Sequence, residues 1–543
     1  MQDSVPFHQG HAGVPNRSWI LWGLLILVAL ALRLPGFTES VWIDELYTSR
    51  LFCGHPLVLA KTLYSDIHPP AYFVFIHYWI SIFGDSVISL RLPPLLFGLG
   101  SLILVQRLGR LWFSERAGWW AAWALAISPV HIWYSQEARP YSANLFLALA
   151  CFLLHSQMIR SRPRLLAWLL FTLVLSLTTL GHYYLVVLPA SFALAEIVKR
   201  SAGWKSRLSA SVIALGLVGL VVVGKLYFSE LPTEKGYLRH FDALEAWKLL
   251  FVWFPSGLAL APRGSTGMWG ATLHGILPFL WAAFFSLGCW AAWRPPTGRT
   301  LQSRWALVGF IALPALLLGL PLLGFGNTYI ERSALPALPF VVLLMAAGAD
   351  RVLPNKAWSI SLPLLPLLII LGAFFARRDL WTVYKPNPAW QQAGQFLAQE
   401  LQGDSEIRIY SDYLSPSALT YYDERFQEVK NFDVNVGKIE KLFARLQSLP
   451  GSNTGFGQTL SAHLQDMLGD FEDLRQQAIR GTRASIFELR VIQPDLQQPA
   501  PHGIWLLVHH QPSSRAVALL ESPGLKVLRQ KNLPSLQLYE LTW

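Results

Sequence analysis

Val87-Ile88-Ser89-Leu90-Arg91-Leu92-Pro93-Pro94-Leu95-Leu96-Phe97-Gly98-Leu99-Gly100-Ser101-Leu102-Ile103-Leu104-Val105-Gln106-Arg107-Leu108 is a long apolar run with a charge near each end. A stretch of ~20 mostly apolar residues is what an α-helix needs to cross a bilayer. Outward from it lie ten more such runs, at 19–36, 117–133, 140–159, 165–181, 183–199, 208–228, 270–293, 305–324, 334–350 and 357–376. Eleven spans place the two termini on opposite sides of a membrane.

Charge is sorted between the connecting loops. One set carries Arg107/Arg110/Arg116, Arg160/Arg162/Arg164, Lys199/Arg200/Lys205/Arg207, Arg294/Arg299/Arg304 and Arg351/Lys356. The other set carries acids, histidines and aromatics. Positive loops stay in the cytoplasm, so the expected topology has residues 1–18 as a cytoplasmic tail and the acidic loops outside. Arg377-Arg378 alone runs against this sorting. The apolar run from Ile20 to Leu32 lacks a small-residue cleavage site after it and reads as a retained helix, not a cleaved signal.

Composition agrees. Charged residues make up 14% of the 543 and hydrophobic residues 53%, with mean hydropathy +0.37, where soluble domains carry about 25% charged residues. The net charge of +11 is explained by loop topology, so nucleic acid is not an expected partner. Cys53, Cys151 and Cys289 form no disulfide framework. No phosphate-binding glycine loop, dinucleotide fingerprint or zinc spacing is present. Ion-coupled transporters bury acids deep in the bundle, whereas here the acids gather at one face, which favours an enzyme working at the interface.

The expected architecture is a mainly α, polytopic membrane bundle over 19–376, with long outer loops at 37–86 and 229–269. Within the first loop, Leu57–Leu63 and Tyr72–Phe83 have helical spacing but are too polar to span, and read as interfacial helices. After residue 377 polar residues become common. Strand-like runs such as Ile407–Tyr410 and Ile504–Val508 alternate with helical stretches at Ala389–Leu401 and Lys438–Gln447. Residues 377–543 therefore read as an extracytoplasmic α/β domain.

Four outer segments hold the candidate chemistry. Asp44-Glu45, flanked by Trp42 and Tyr47, reads two ways: a general base with an orienting neighbour, or a pair of acids at a helix N-terminus. In Asp66-Ile67-His68-Pro69-Pro70 the prolines favour an extended backbone. Asp66 and His68 then face one way, as a divalent-cation or phosphate site or as a turn before a helix at Ala71. In Ser135-Gln136-Glu137-Ala138-Arg139-Pro140-Tyr141, ionised groups at membrane level need partners or water. Arg139 offers a guanidinium fork to a phosphate, Glu137 would hold it and Tyr141 would line a pocket; the other reading is a Glu–Arg pair locking the loop. His182-Tyr183-Tyr184 and Glu331-Arg332 supply a histidine and a second arginine. They read as site groups, or as interfacial aromatics and a surface ion pair. Lys235 and Arg239 read as solvated loop charges.

Taken together, Trp42-Ile43-Asp44-Glu45, Asp66-Ile67-His68-Pro69-Pro70, Arg91-Leu92-Pro93 and His131 through Tyr141 resemble the bacterial glycosyltransferase family 39 proteins. These are GT-C membrane transferases related to protein O-mannosyltransferases and to the aminoarabinose transferase of lipid A. The likeness spans about 19–376. Tyr329 through Pro339 is similar to the Arg-Tyr-then-Leu-Pro segment of those enzymes, with Glu331-Arg332 in place of the usual order. The resemblance implies a polyprenyl-phosphate sugar donor in the cell (inner) membrane and transfer at its outer face, with inversion. It implies Asp44 as catalytic base, and Glu45, Asp66, His68, Glu137, Arg139, Tyr141, His182 and Arg332 around the substrate. A glycolipid, a wall polymer or a protein would be the acceptor. A divalent cation at Asp66 and His68 is compatible with this reading. A transferase specific for lipid A-type glycolipids and a lipid flippase or transporter are the alternative readings.

Overall fold

The structure is a computed structural model. It describes residues 18–34, 37–51, 68–160, 164–228, 241–250, 254, 282–294, 300–322, 329–352, 390–400, 408–411, 504–509, 526–533 and 536–542. The expected span at 357–376, most of the loop 229–269 and the stretches Leu57–Leu63 and Lys438–Gln447 lie outside the described residues.

The bundle opens with α1 (Ser18–Arg33), a short α2 (Ile43–Leu51) and α3 (Ala71–Phe83). Then come α4 (Val87–Trp112), α5 (Glu115–Ile127), α6 (Pro129–Tyr134), α7 (Tyr141–Arg160) and α8 (Leu165–Thr179). A 3-10 turn at Tyr183–Val186 leads into α9 (Val187–Lys199), and α10 (Trp204–Phe228) and α11 (Ala243–Lys248) follow. The later helices are α12 (Ala282–Trp293), α13 (Thr300–Leu322), α14 (Leu338–Val352) and α15 (Trp390–Glu400). A second 3-10 stretch, Glu331–Ala337, precedes α14.

Helix ends follow local chemistry. Ser86 Oγ accepts from Ser89 N–H at the start of α4, and Ser114 Oγ from Ala117 N–H at the start of α5, each satisfying a donor the helix leaves open. The expected span 117–133 is two helices, because Ser128-Pro129 ends α5 and starts α6. Pro129 sits in the first turn of α6, and Ser128 Oγ caps His131 N–H. Inside α4, Pro93 cannot donate to the Ser89 carbonyl. That carbonyl accepts instead from Trp79 Nε1 of α3 at 3.0 Å, so the defect docks one helix on another. The expected span 183–199 likewise begins as a 3-10 turn before α9.

This is the bundle of a multi-pass membrane protein. Among the described residues, 87–112, 141–160, 204–225 and 331–352 are long and apolar enough to cross a membrane, and shorter apolar helices accompany them. Large apolar side chains face outward, including Trp19, Leu27, Leu96, Leu166, Leu173 and Leu220. In a soluble protein such a surface would aggregate; in a bilayer it is the lipid face. The core joins Trp112, Phe152, Phe171, Phe192 and Phe340. Gly109 and Gly118 let α4 and α5 touch, since a Cβ on Gly109 would stand 2.5 Å from Gly118 Cα.

The two ends of the bundle differ as their charges suggested. One end is fastened by Arg116 to Asp350 at 2.6 Å, and by Arg207 and His155 on Glu196 at 2.8 and 2.9 Å. The other gathers α2, the loop before α3, the loop between α6 and α7, and the Glu331–Ala337 turn. After the bundle, α15 matches the helix expected near 389–401. Strands β1 (Arg408–Ser411), β2 (Ile504–His509), β3 (Lys526–Leu533) and β4 (Leu536–Thr542) form one sheet in the order β1-β2-β4-β3. The β1–β2 pair is parallel and the others antiparallel.

Candidate active site

The two neighbouring acids of α2 part company. Glu45 is 1% exposed. Its carboxylate receives Arg91 Nε at 2.9 Å and Nη2 at 2.6 Å, Trp42 N–H at 2.8 Å and Ala138 N–H at 3.0 Å. Arg91 also donates to the carbonyls of Phe37, Glu39 and Ser40. Burial alone would raise the Glu45 carboxyl. The Arg91 guanidinium and the two backbone donors outweigh it and hold the pKa below the usual carboxylate value. Glu45 is thus a clamp that pins α2 to α4 and to the loop bearing Arg139. This is the geometry of the orienting neighbour that the sequence reading set beside Asp44, with its carboxylate oxygens turned to protein donors.

Asp44, one residue earlier, turns the other way and stays partly accessible. Its Oδ2 accepts from Arg332 Nη1 at 3.1 Å, with the Asp44 side chain 26% exposed. Arg332 lies over the Tyr141 ring, 5.7 Å from its centroid, and Tyr141 meets Tyr134 edge-on at 4.9 Å. The Glu331-Arg332 order therefore delivers an arginine directly to the candidate base.

Arg139 is buried beside this pair. Its Nη1 donates to the Asp44 carbonyl and Thr48 Oγ1 at 3.4 and 3.3 Å, and its Nη2 contacts His68 Nε2 at 3.2 Å. A guanidinium only donates, so His68 accepts there and carries its proton on Nδ1. Phe73 underlies Arg139 at 5.6 Å. Every hydrogen-bond acceptor of the Arg139 guanidinium among the described residues is uncharged. Glu137, expected to hold it, accepts Trp133 Nε1 at 2.8 Å, contributes its backbone carbonyl to Arg139 N–H at 2.7 Å, and favours the guanidinium through its charge.

His68 is fixed from two further directions. Lys225 Nζ of α10 donates to its carbonyl at 2.8 Å and lies over the Tyr183 ring, and Ala71 N–H bonds Leu180 O. His182 caps the 3-10 turn through Nδ1, which accepts Tyr184 N–H at 3.3 Å. Burial, then the nearby His68 and Arg332, push its pKa down to about 3, so it stays neutral at physiological pH. Asp66 lies outside the described residues. Among the described residues no three His, Cys, Asp or Glu groups converge as metal ligands. His68 meets the Arg139 guanidinium through Nε2, the nitrogen that would otherwise be open to a metal ion.

The structure therefore brings Asp44, His68, Arg139, Tyr141 and Arg332 into one cluster, with His182 at its edge and Glu45 behind it. Two residues that hold this cluster, Lys225 through His68 and Arg91 through Glu45, have roles the sequence reading missed. Lys225 had a visible signal, a lone charge inside an apolar run. Arg91 had a weaker one, a charge one turn into a spanning helix whose partner lies 46 residues away.

Residues 67–227 match the family model described as dolichyl-phosphate-mannose-protein mannosyltransferase. That stretch includes His68, Glu137, Arg139, Tyr141, His182 and Lys225 and supports the likeness to membrane glycosyltransferases there. A search of curated proteins finds no match. Solved structures similar to this one include ArnT from Cupriavidus metallidurans bound to undecaprenyl phosphate, at 15% identity over 97% of this chain and 98% of that chain, TM-score 0.49. Another is the oligosaccharyltransferase AglB from Archaeoglobus fulgidus with an inhibitory peptide and a dolichol-phosphate, at 14% identity over 76% and 59%, TM-score 0.45. The arabinofuranosyltransferase AftD from mycobacteria is similar at 15% identity over 97% and 42%, TM-score 0.44.

Proposed function

We propose that the chain is a membrane glycosyltransferase that moves a sugar from a polyprenyl-phosphate donor to an acceptor hydroxyl, with inversion, at the outer face of the cytoplasmic membrane. The observation that carries this reading is the Asp44–Arg332 pair standing beside Arg139: one accessible carboxylate against two guanidiniums, at one end of an apolar bundle. A donor with its tail in lipid and its phosphosugar at the interface meets those groups in the order the chemistry needs.

In this reading the donor phosphate draws Arg332 from Asp44 and sits between Arg332 and Arg139. Asp44 then removes the proton from the acceptor hydroxyl. The oxygen forms a bond to the anomeric carbon as the bond from that carbon to the phosphate oxygen breaks. The electron pair leaves on the lipid phosphate, where the two guanidiniums stabilise it. A phosphate leaving group needs positive charge rather than a strong acid. Tyr141 lines the site and His182 stays neutral, adding no repulsion toward the arginines. Asp66 stands two residues before His68 in sequence, and the resemblance assigns it to the substrate-binding groups. Residues 1–18 form the cytoplasmic tail, 19–376 the catalytic bundle and 377–543 an extracytoplasmic domain. A glycolipid, a wall polymer or a protein supplies the acceptor hydroxyl.

The test is release of polyprenyl phosphate from a polyprenyl-phosphate sugar by the purified protein. Wild-type protein releases it and Asp44→Asn does not, though the variant stays folded because the Glu45 clamp is intact. A protein that moves the lipid across a membrane without cleaving the sugar–phosphate bond would be a flippase and would end this reading.

A further inference from the structure

At the end of the bundle opposite Asp44, a cavity of about 340 Å³ is lined by Arg107, Arg110, Leu111, Glu115 and Arg160. Its volume falls within the roughly 300–1,000 Å³ of small-molecule sites. Glu115 is already engaged, accepting Arg110 Nε at 2.9 Å and the buried Gln106 Nε2 at 3.0 Å. Arg160 Nη2 reaches the Leu111 carbonyl at 3.3 Å. Three guanidiniums against one carboxylate leave the cavity with an excess of two positive charges among its lining groups.

The surface leading to it is apolar. Ile88, Leu96 and Ile103 are exposed on α4, and at 100° per residue they lie on the same face as Arg107 and Arg110. From Arg91, at the Asp44 end, to Arg107 and Arg110 is roughly 24–29 Å along the helix, close to the ~30 Å hydrocarbon thickness. The guanidiniums thus stand at headgroup level in the opposite leaflet, where an outward-facing apolar stripe ends.

We propose that this cavity binds the phosphodiester headgroup of an anionic phospholipid, with an acyl chain laid along Ile103 and Leu96, which lie within roughly 16 Å of Arg107, about one leaflet of the ~30 Å core. The apolar stripe selects a lipid over a soluble phosphate, which would use the guanidiniums and leave the stripe idle. The assignment rests on the bundle being membrane-spanning and is independent of the reaction at Asp44.

The experiment is native mass spectrometry of the full chain in neutral detergent, titrated with phosphatidylglycerol or with phosphatidylcholine of the same acyl chains. Phosphatidylglycerol should be retained more tightly. Arg107→Gln should weaken it about fivefold, and Arg107→Gln with Arg160→Gln about 25-fold, at the value of a basic group near a membrane surface. Arg107 is exposed and makes no hydrogen bond or ion pair among the described residues, so its single variant should fold and keep the wild-type melting temperature. Equal retention of the two lipids, equal phosphatidylglycerol binding by wild type and the variants, or displacement by equimolar inorganic phosphate would each overturn the assignment.

Discussion

Replacing Arg91 with Met removes the group that holds the Glu45 carboxylate, while keeping a side chain of similar length. Among the described residues five hydrogen bonds go: two charge-assisted bonds to Glu45 and three to the carbonyls of Phe37, Glu39 and Ser40. Glu45 is left 1% exposed with only the Trp42 and Ala138 N–H donors. Breaking one side of a buried pair costs about 3–5 kcal/mol, and that is the expected loss of stability. Glu45→Gln in the Arg91→Met background should cost far less than in wild type, because the charge it removes is by then uncompensated. A double-mutant cycle on unfolding in mixed micelles, followed by tryptophan fluorescence, should give a coupling of about 2 kcal/mol or more. Additivity within ~0.5 kcal/mol would refute the clamp. The pH dependence has a definite sign. The folded Glu45 pKa lies below its unfolded value near 4.5, so the clamp's contribution is fully present above that value. It is lost as pH falls through the depressed folded pKa. The penalty of Arg91→Met should therefore be constant from pH 6 to 8 and shrink in acid.

Other outcomes are equally definite. Asp44→Asn should lower transfer by at least about a thousandfold, in line with loss of a positioned base and its charge, with unfolding stability within ~0.5 kcal/mol of wild type; near-normal transfer removes Asp44 as the base. Arg139→Ala should weaken donor binding about tenfold or more, measured by competition with undecaprenyl phosphate, and unchanged affinity takes Arg139 out of the phosphate site. His182→Asn keeps a capping acceptor for Tyr184 N–H and should leave the activity profile between pH 6 and 8 unshifted. The histidine, already neutral with its pKa near 3, does not titrate there, and a displaced acid limb would contradict that. Arg207→Met, at the far end, should destabilise by about 3–5 kcal/mol without altering donor affinity, because Glu196 loses both of its Arg207 bonds.

Much of the bundle was legible because lipid-facing helices advertise themselves by length and hydropathy. Val87 through Leu108 and 140–159 lie within a few residues of α4 and α7. The run 117–133 was not legible as two helices, since hydropathy ignores Pro129 and only the Ser-Pro pair signals the break. Similarly, 334–350 hides a 3-10 start at Glu331–Ala337, where Pro336 removes a donor. For the site, the residue types were readable but their partners were not. Asp44 meets Arg332 across 288 positions and Arg139 meets His68 across 71, separations that no periodicity encodes. The different fates of Asp44 and Glu45 follow from the 100° turn between adjacent helical residues, which the dipeptide alone could not orient. Asp66 lies outside the described residues, and its role rests on the resemblance.

The paired prolines of α4 lie between the Arg91 clamp and the remainder of that helix. Pro93 and Pro94 leave two rungs of the backbone ladder unmade, and the Trp79 indole takes up the Ser89 carbonyl freed by the first. A helix bends most readily where such rungs are missing, so a tilt of its first turn, which carries Arg91, is absorbed there and need not reach the end that carries Arg107 and Arg110.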